Sequence, residues 1–212
     1  MTDTVVDISG YMYEDGELND SHNYLVPSLL NILASLSLAP DDRRVFELGC
    51  GNGAVAAVLT ERGYQTIGVD VSTRGLEQAW RRYPHLSLRS GSAYDDLAAT
   101  YGRFPIVVSL EVVEHLYAPR VFAKTLYDLA ESSGTAIVST PYHGYWKNLA
   151  LAITGRMDAH FTALWDHGHI KFWSMKTLGA LLFEAGFRDI SFMRVGRIPV
   201  LAKAMIAIAK KP

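Results

Sequence analysis

The stretch VFELGCGNGAV, residues 45–55, carries an acid, Glu47, near the end of an apolar run and then sets Gly49, Gly51 and Gly53 at alternate positions. An apolar run that breaks into glycines and continues as Ala54 to Thr60 reads as strand, tight loop and helix. Such a loop presents backbone N–H groups and the positive end of a helix dipole, and glycines let a ligand approach without meeting a Cβ. The spacing is G-x-G-x-G, not the G-x-G-x-x-G that seats a pyrophosphate, and the register's third glycine is replaced by Ala54. A carboxylate at Glu47 would repel a pyrophosphate and attract a cation. The loop therefore calls for a cationic ligand without phosphates.

The same alternation extends outward from Arg43 to Pro141, which predicts a mainly parallel α/β sheet. Strands are expected near Val45–Leu48, Gln65–Val69, Leu86–Arg89, Ile106–Leu110 and Thr135–Ser139. Helices are expected over Gly53–Arg62, from a Ser72 or Thr73 cap to Tyr83, and from Pro119 to about Glu131, with Gly134 marking the exit. Ahead of this core, Pro27 is expected to open a helix to Leu38 that packs over the mouth of the sheet. Behind it, Tyr142 to Trp173 gathers three of the four tryptophans and four of the seven histidines. A helix over Ser174–Ala185 and two β-rich runs, Ile190–Val195 and Ala204–Ala209, complete the pattern as a terminal antiparallel pair. One domain, 1–212, is expected: preamble 1–42, ligand-binding core 43–141, lid 142–173, and a closing helix and strands 174–212.

Composition narrows the partners. Lysine and arginine total 20 against 22 aspartates and glutamates, a formal net charge of -2, and no like-charge run marks a nucleic-acid or membrane footprint. Cys50 is the single cysteine, which suits a reducing, cytoplasmic setting. The N-terminal MTDTVVDISG carries acids where an export signal would carry basic residues. The apolar IPVLAKAMIAIAKKP is interrupted by Lys203 and falls short of the ~20 residues of a membrane span. Pro199 to Ala209 could instead touch a membrane surface, although a closing strand is the simpler reading.

Asp70 ends the second strand, where an acid can accept both hydroxyls of a ribose lying across the first strand. Glu47 then faces a positively charged amino group at the other end of the ligand. S-adenosylmethionine, with adenosine, sulfonium and amino-acid tail, meets these demands. At this point FELGCGNG, IGVD, SGSAYDDL, VVSLEVVEHL and GTAIVSTP resemble class I S-adenosylmethionine-dependent methyltransferases over nearly the whole chain. EVVEH together with HIKFWSMKTLGALLFEAGF is similar to the branch that includes ubiquinone-pathway O-methyltransferases. The resemblance implies a Rossmann-like, doubly wound, seven-stranded sheet with helices on both faces and an antiparallel last strand. It also implies adenine near Ser92 and Ala93, cofactor contact at Leu110 and at Val71 beside Asp70, and His22 and Tyr24 near the cofactor cleft. Ser92 departs from the aspartate many relatives carry there.

Methyl transfer from a sulfonium asks mainly for alignment and dryness. Alignment can supply ~7 to 11 kcal/mol, whereas a general base gives roughly 10² to 10⁴-fold. Tyr145, Trp146, Phe161, Trp165 and Trp173 are candidates to wall a flat or apolar acceptor, or simply to cap the core. If EVVEH turns helically, Glu111, Glu114 and His115 share one face. With His169 they form a set suited to Mg²⁺, Mn²⁺ or Fe²⁺ more than to calcium, and the resemblance implies a divalent ion held in this way in some relatives. The competing account has these side chains bonded to backbone or to the cofactor loop without metal. Under either account His115 is the first base candidate, followed by His169 and His167, with His143 behind and Glu114 assisting. The expected reaction moves the methyl to a hydroxyl oxygen of a small molecule. An RNA 2′-O-methyltransferase, a nicotinamide-dependent oxidoreductase and a non-catalytic cofactor-binding protein are the competitors. Oligomeric state is left open.

Overall fold

A computed structural model of the chain describes residues 17–36, 38–165 and 168–212. The N-terminal decapeptide read above for export signals, and His167, lie outside the described residues. Seven strands form one sheet: β1 (Arg44–Leu48), β2 (Gln65–Asp70), β3 (Ser87–Ser90), β4 (Phe104–Leu110), β5 (Ala130–Pro141), β6 (Arg188–Val195) and β7 (Ala204–Lys210). Their order is β3-β2-β1-β4-β5-β7-β6. The pairs from β3 to β5 are parallel, and β7 runs antiparallel to both of its neighbours. The helices are α1 (His22–Ser35), α2 (Ala54–Glu61), α3 (Thr73–Arg82), α4 (Leu97–Tyr101), α5 (Pro119–Leu129), α6 (Tyr145–Ile153), α7 (Met157–Phe161) and α8 (Met175–Ala185).

Side chains alternate across a strand, so the unbroken apolar runs must be buried twice. Val45, Ile106, Val108, Ile137 and Ile206 pack in one layer with Leu25 and Leu29 of α1 and Val55 and Leu59 of α2. Their strand neighbours Phe46, Leu48, Val107, Val138 and Ala207 pack in the other with Phe122 and Leu126 of α5 and Leu178 and Leu182 of α8. Each fully buried Leu, Ile or Phe contributes roughly 1.5 to 3 kcal/mol. The doubly wound architecture expected from the sequence is the one observed.

The bounds of α1 and the junction of α5 with β5 differ from the sequence reading, whereas the α3 cap is one of the two residues expected. Helix α1 starts at His22 and ends at Ser35, so Pro27 lies inside it. Asn19 Oδ1 accepts the N–H groups of Ser21 and His22, which starts the helix ahead of the proline. Helix α5 stops at Leu129 because Ala130 is already extended and pairs with Phe104 of β4. Gly134 therefore sits within β5, where a Cβ would come within 2.8 Å of the Glu131 carbonyl oxygen. Ser72 rather than Thr73 caps α3, its Oγ accepting Gly75 N–H at 3.0 Å.

Candidate active site

The site forms where β1, β2 and β4 end, at the switch point between neighbouring crossovers. Gly49 and Cys50 N–H both donate to Val69 O, at 2.7 and 3.1 Å. Asp70 Oδ2 accepts Gly51 N–H at 2.8 Å and its Oδ1 accepts Ser72 N–H at 2.7 Å. One carboxylate thus folds the glycine loop against the tip of β2. Gly49, Gly51 and Gly53 all have left-handed backbones, with φ of 88°, 52° and 76°. Packing adds a reason the sequence did not show. A Cβ on Gly49 would lie 2.2 Å from Val112 Cγ2, and one on Gly53 2.6 Å from Leu88 Cδ1. Cys50 is a buried filler against Gly68, its thiol pushed well up by burial and then by Asp70 and Glu47.

These residues fit a sulfonium nucleoside. A carboxylate has about four lone-pair directions, so Asp70 keeps acceptor capacity beyond its two backbone bonds. Glu47 is 2% exposed, its Oε2 has no hydrogen-bond partner among the described residues, and burial followed by Asp70's charge pushes its carboxyl well up. A cationic donor would satisfy that oxygen and offset the repulsion. Val71 follows directly and is half-buried, while Leu110 closes β4 at 8% exposure. Gly91 N–H donates to Asp70 O at 3.0 Å, which brings Ser92 and Ala93 alongside. Ser92 Oγ already accepts Tyr94 N–H at 3.1 Å, so its hydroxyl shapes the loop. Above the loop, Asn52 Nδ2 donates to Glu17 O at 2.9 Å, and this holds the preamble over the cleft. Burial, then Glu111 and Asp20, pushes Tyr24 up to about 12, whereas burial pushes His22 down to about 4.

EVVEH departs from its helical reading. Only Val113–His115 forms a 3₁₀ turn, and Glu111 stands outside it with φ of 56°. The cause is local: Val112 packs onto Gly49, while Glu111 N–H is held by Ser139 O and Oγ at 3.2 and 3.0 Å. Ser139 Oγ donates in turn to Glu111 Oε1 at 2.7 Å. Glu111, Glu114 and His115 therefore do not share a helical face. Instead Glu114, His115 and His169 converge, one ligand atom of each lying within 4.8 Å of the others, and Glu111 is not in that group. Ile170 and Lys171 N–H both donate to Glu114 O, at 2.9 and 3.0 Å, which fastens the His169 segment to the turn.

The electrostatics of the trio are those of a neutralised pocket. Glu114 is 1% exposed and neither carboxylate oxygen has a well-formed hydrogen bond among the described residues, although the Thr140 hydroxyl lies beside it. Burial, then Glu111, pushes Glu114 well up; burial likewise lifts Glu111 to about 7. Burial and neighbouring imidazoles push His169 down to about 4, so it is neutral at neutral pH with a free lone pair. His115 Nδ1 lies 3.2 Å from Gly168 O, a contact that places the proton on Nδ1 and leaves Nε2 as acceptor or ligand.

The aromatic wall divides. Trp173 is 8% exposed, packs in the core and donates from Nε1 to Val113 O, so it supports the turn rather than an acceptor. Tyr145 and Trp146 face solvent. Trp165 lies edge-on to His115, and Phe161 stacks on His143 with Phe172 against both. Ser139, which bonds Glu111, and Lys147, whose charge Glu111 feels, are residues that the sequence reading missed. Ser139 had a signal, a hydroxyl at the end of a buried strand beside β4; Lys147 had none.

A family model described as a methyltransferase domain matches residues 21–191. The ubiquinone biosynthesis O-methyltransferase of Bradyrhizobium diazoefficiens is 35% identical over 114 residues, covering 53% of this chain and 45% of that protein. The enzyme of the same name from Azorhizobium caulinodans is 31% identical over 152 residues, covering 68% and 58%. The matches thus span about half the length of these curated relatives. Among solved structures, the methyltransferase domain of bacterial CtHen1-CN superposes with a TM-score of 0.66 at 22% identity, covering 91% of this chain and 100% of that one. A S-adenosylmethionine-dependent methyltransferase from Archaeoglobus fulgidus superposes with a TM-score of 0.65 at 19% identity, covering 88% and 93%. These likenesses show the fold, and among the described residues no helix is long and apolar enough to cross a membrane. With the family model spanning the glycine loop, Asp70 and the EVVEH turn, the chain belongs to the S-adenosylmethionine-dependent methyltransferases of class I.

Proposed function

We propose that the chain transfers a methyl group to a hydroxyl oxygen of a small-molecule acceptor, with Glu114, His115 and His169 holding a divalent cation such as Mg²⁺ or Mn²⁺. The observation that carries this reading is the convergence of those three side chains at the end of β4, beside the cofactor loop. Buried carboxylate oxygens that have no well-formed hydrogen bond among the described residues, with a neutral imidazole, make a donor set for a hard or borderline divalent ion. The names of the curated relatives support oxygen as the acceptor atom.

In this reading Asp70 anchors the ribose, Glu47 receives the cationic amino-acid end, and Ser92 and Ala93 border the adenine. Residues 142–173 act as the lid that keeps water from the acceptor. A divalent ion, when bound, supplies Lewis acidity toward an acceptor hydroxyl. His115 turns its Nδ1 proton to Gly168 O, so Nε2 is the nitrogen that carries a lone pair. Without metal, that nitrogen is the base that removes the hydroxyl proton while the methyl passes from sulfur to oxygen. Alignment accounts for the larger share of the rate under both accounts.

A methyl-transfer screen over phenols, catechols and sugars, run with chelator and then with added Mg²⁺ or Mn²⁺, tests the proposal. Turnover of a hydroxylated acceptor that chelator abolishes and Mn²⁺ restores supports it. Turnover indifferent to chelator removes the ion and leaves His115 as base. No transfer to any hydroxyl, with S-adenosylmethionine bound, overturns the oxygen reading.

A further inference from the structure

Resting on the small-molecule reading above, we propose that Lys147, with Arg197, forms an anion subsite that binds a carboxylate or phosphate substituent of the methyl acceptor. Four cations gather where β5 ends and β6 turns toward β7. Lys147 Nζ donates to Tyr142 O at 2.8 Å. Arg194 lies 6.0 Å from the Tyr142 ring centre and Lys203 Nζ lies 5.3 Å from that of Tyr24. Tyr142 N–H donates to Lys203 O and Lys203 N–H to Val195 O, which pins these segments together, and the turn at Pro199–Leu201 packs on α6. Among the described residues none of Lys147, Arg194, Arg197 and Lys203 forms an ion pair.

Lys147 is the member whose charge Glu111 feels. It sits in the first turn of α6, and its bond to Tyr142 O folds Nζ back past the start of that helix, one residue beyond the end of β5. The helix has Gly144 at its N-cap, no side-chain cap and no acid in its first turn, so its leading N–H groups add to the positive field. Glu111 lies close enough to feel the charge but is engaged by Ser139 and stays outside ion-pair distance. Burial, then Arg197, pushes Lys147 down to about 8, the mark of a half-buried cation facing another cation. His143 lies nearby with the Asn148 side chain beside it, and burial followed by the Lys147 charge pushes its imidazole down to about 4. A bound anion would neutralise this corner, accept from Nζ and the helix start, and hold the acceptor on the Glu111–Glu114 side of the cleft.

Matched ligands decide the matter. Catechol and 3,4-dihydroxybenzoate, and phenol and 4-hydroxybenzoate, are titrated calorimetrically into the full chain with S-adenosylhomocysteine present. Inorganic phosphate and acetate serve as competing ions that separate phosphate from carboxylate preference. The carboxylated member of a pair binds roughly 10- to 100-fold more tightly, Lys147→Gln with Arg197→Gln collapses that ratio, and Lys147→Arg retains it. Cofactor affinity reports that the variants fold. Equal affinity within both pairs, no binding of either acid, or a ratio that survives the substitutions overturns the subsite. Lys147-dependent binding of a short single-stranded RNA, with neither acid bound, overturns it too and points to the nucleic-acid competitor. Discrimination in binding without methyl transfer to any hydroxyl leaves the subsite standing and counts against the oxygen reading instead.

Discussion

His115 and His169 stand edge to face with ring centres 4.9 Å apart, although 54 positions separate them in the chain. Glu114 backbone, accepting from Ile170 and Lys171, holds them there. If the pair shares an ion with Glu114, His169→Ala weakens Mn²⁺ binding by at least ~10-fold while S-adenosylmethionine affinity stays within about two-fold. Titration calorimetry with each ligand separately checks both halves. Undiminished Mn²⁺ affinity would reassign His169 to a packing role.

Asp70→Ala removes the acceptor for Gly51 and Ser72 N–H. Two charge-assisted bonds are lost, so stability falls by roughly 2 to 4 kcal/mol and cofactor affinity by ~10-fold or more. Asp70→Asn keeps one acceptor oxygen and is expected to fall between. Urea unfolding with and without S-adenosylhomocysteine measures both effects.

Glu111→Gln gives a pH-dependent gain. The folded carboxyl is raised from 4.5 to about 7, so between those values the native state holds a proton that the unfolded chain has released. Wild-type stability from this group is complete below pH 4.5 and lost as pH rises through 7. The variant's advantage should therefore grow from nothing near pH 4 to roughly 1 to 3 kcal/mol above pH 7.5, then level off. An advantage that is flat with pH in denaturant melts would refute the assignment.

Gly53→Ala forces a Cβ onto a left-handed backbone and to within 2.6 Å of Leu88 Cδ1. A loss of roughly 2 to 4 kcal/mol is expected, visible as a lowered urea midpoint, with weaker cofactor binding as the loop shifts. If only binding changes, the glycine serves the ligand and not the packing.

The fold was legible because its signals are local and redundant. Runs such as Val45–Leu48 and Ile106–Leu110 need two covered faces, and Gly63 and Gly186 each end a helical pattern with a left-handed backbone. What the sequence concealed arises from contacts between segments. Val112 seated on Gly49, and Ser139 gripping Glu111, overrule the helical spacing of EVVEH, and no periodicity within that pentapeptide could report on either partner. Pro27 misled in the same way, since a proline that opens a helix and one carried inside it look alike until Asn19 is seen to cap the chain earlier. Lys147 was illegible because its setting is made by charges brought from elsewhere in the chain, Arg197 beyond β6 and Glu111 beyond β4.

The placement of β7 between β5 and β6 has a consequence for the order of assembly. β6 leaves the ribosome before the strand that joins it to the sheet, so until β7 is made β5 offers an open ladder edge and β6 has no sheet neighbour. The final pairing is long-range and comes late, and a nascent chain paused between Val195 and Ala204 is the form most exposed to pairing with another copy of itself.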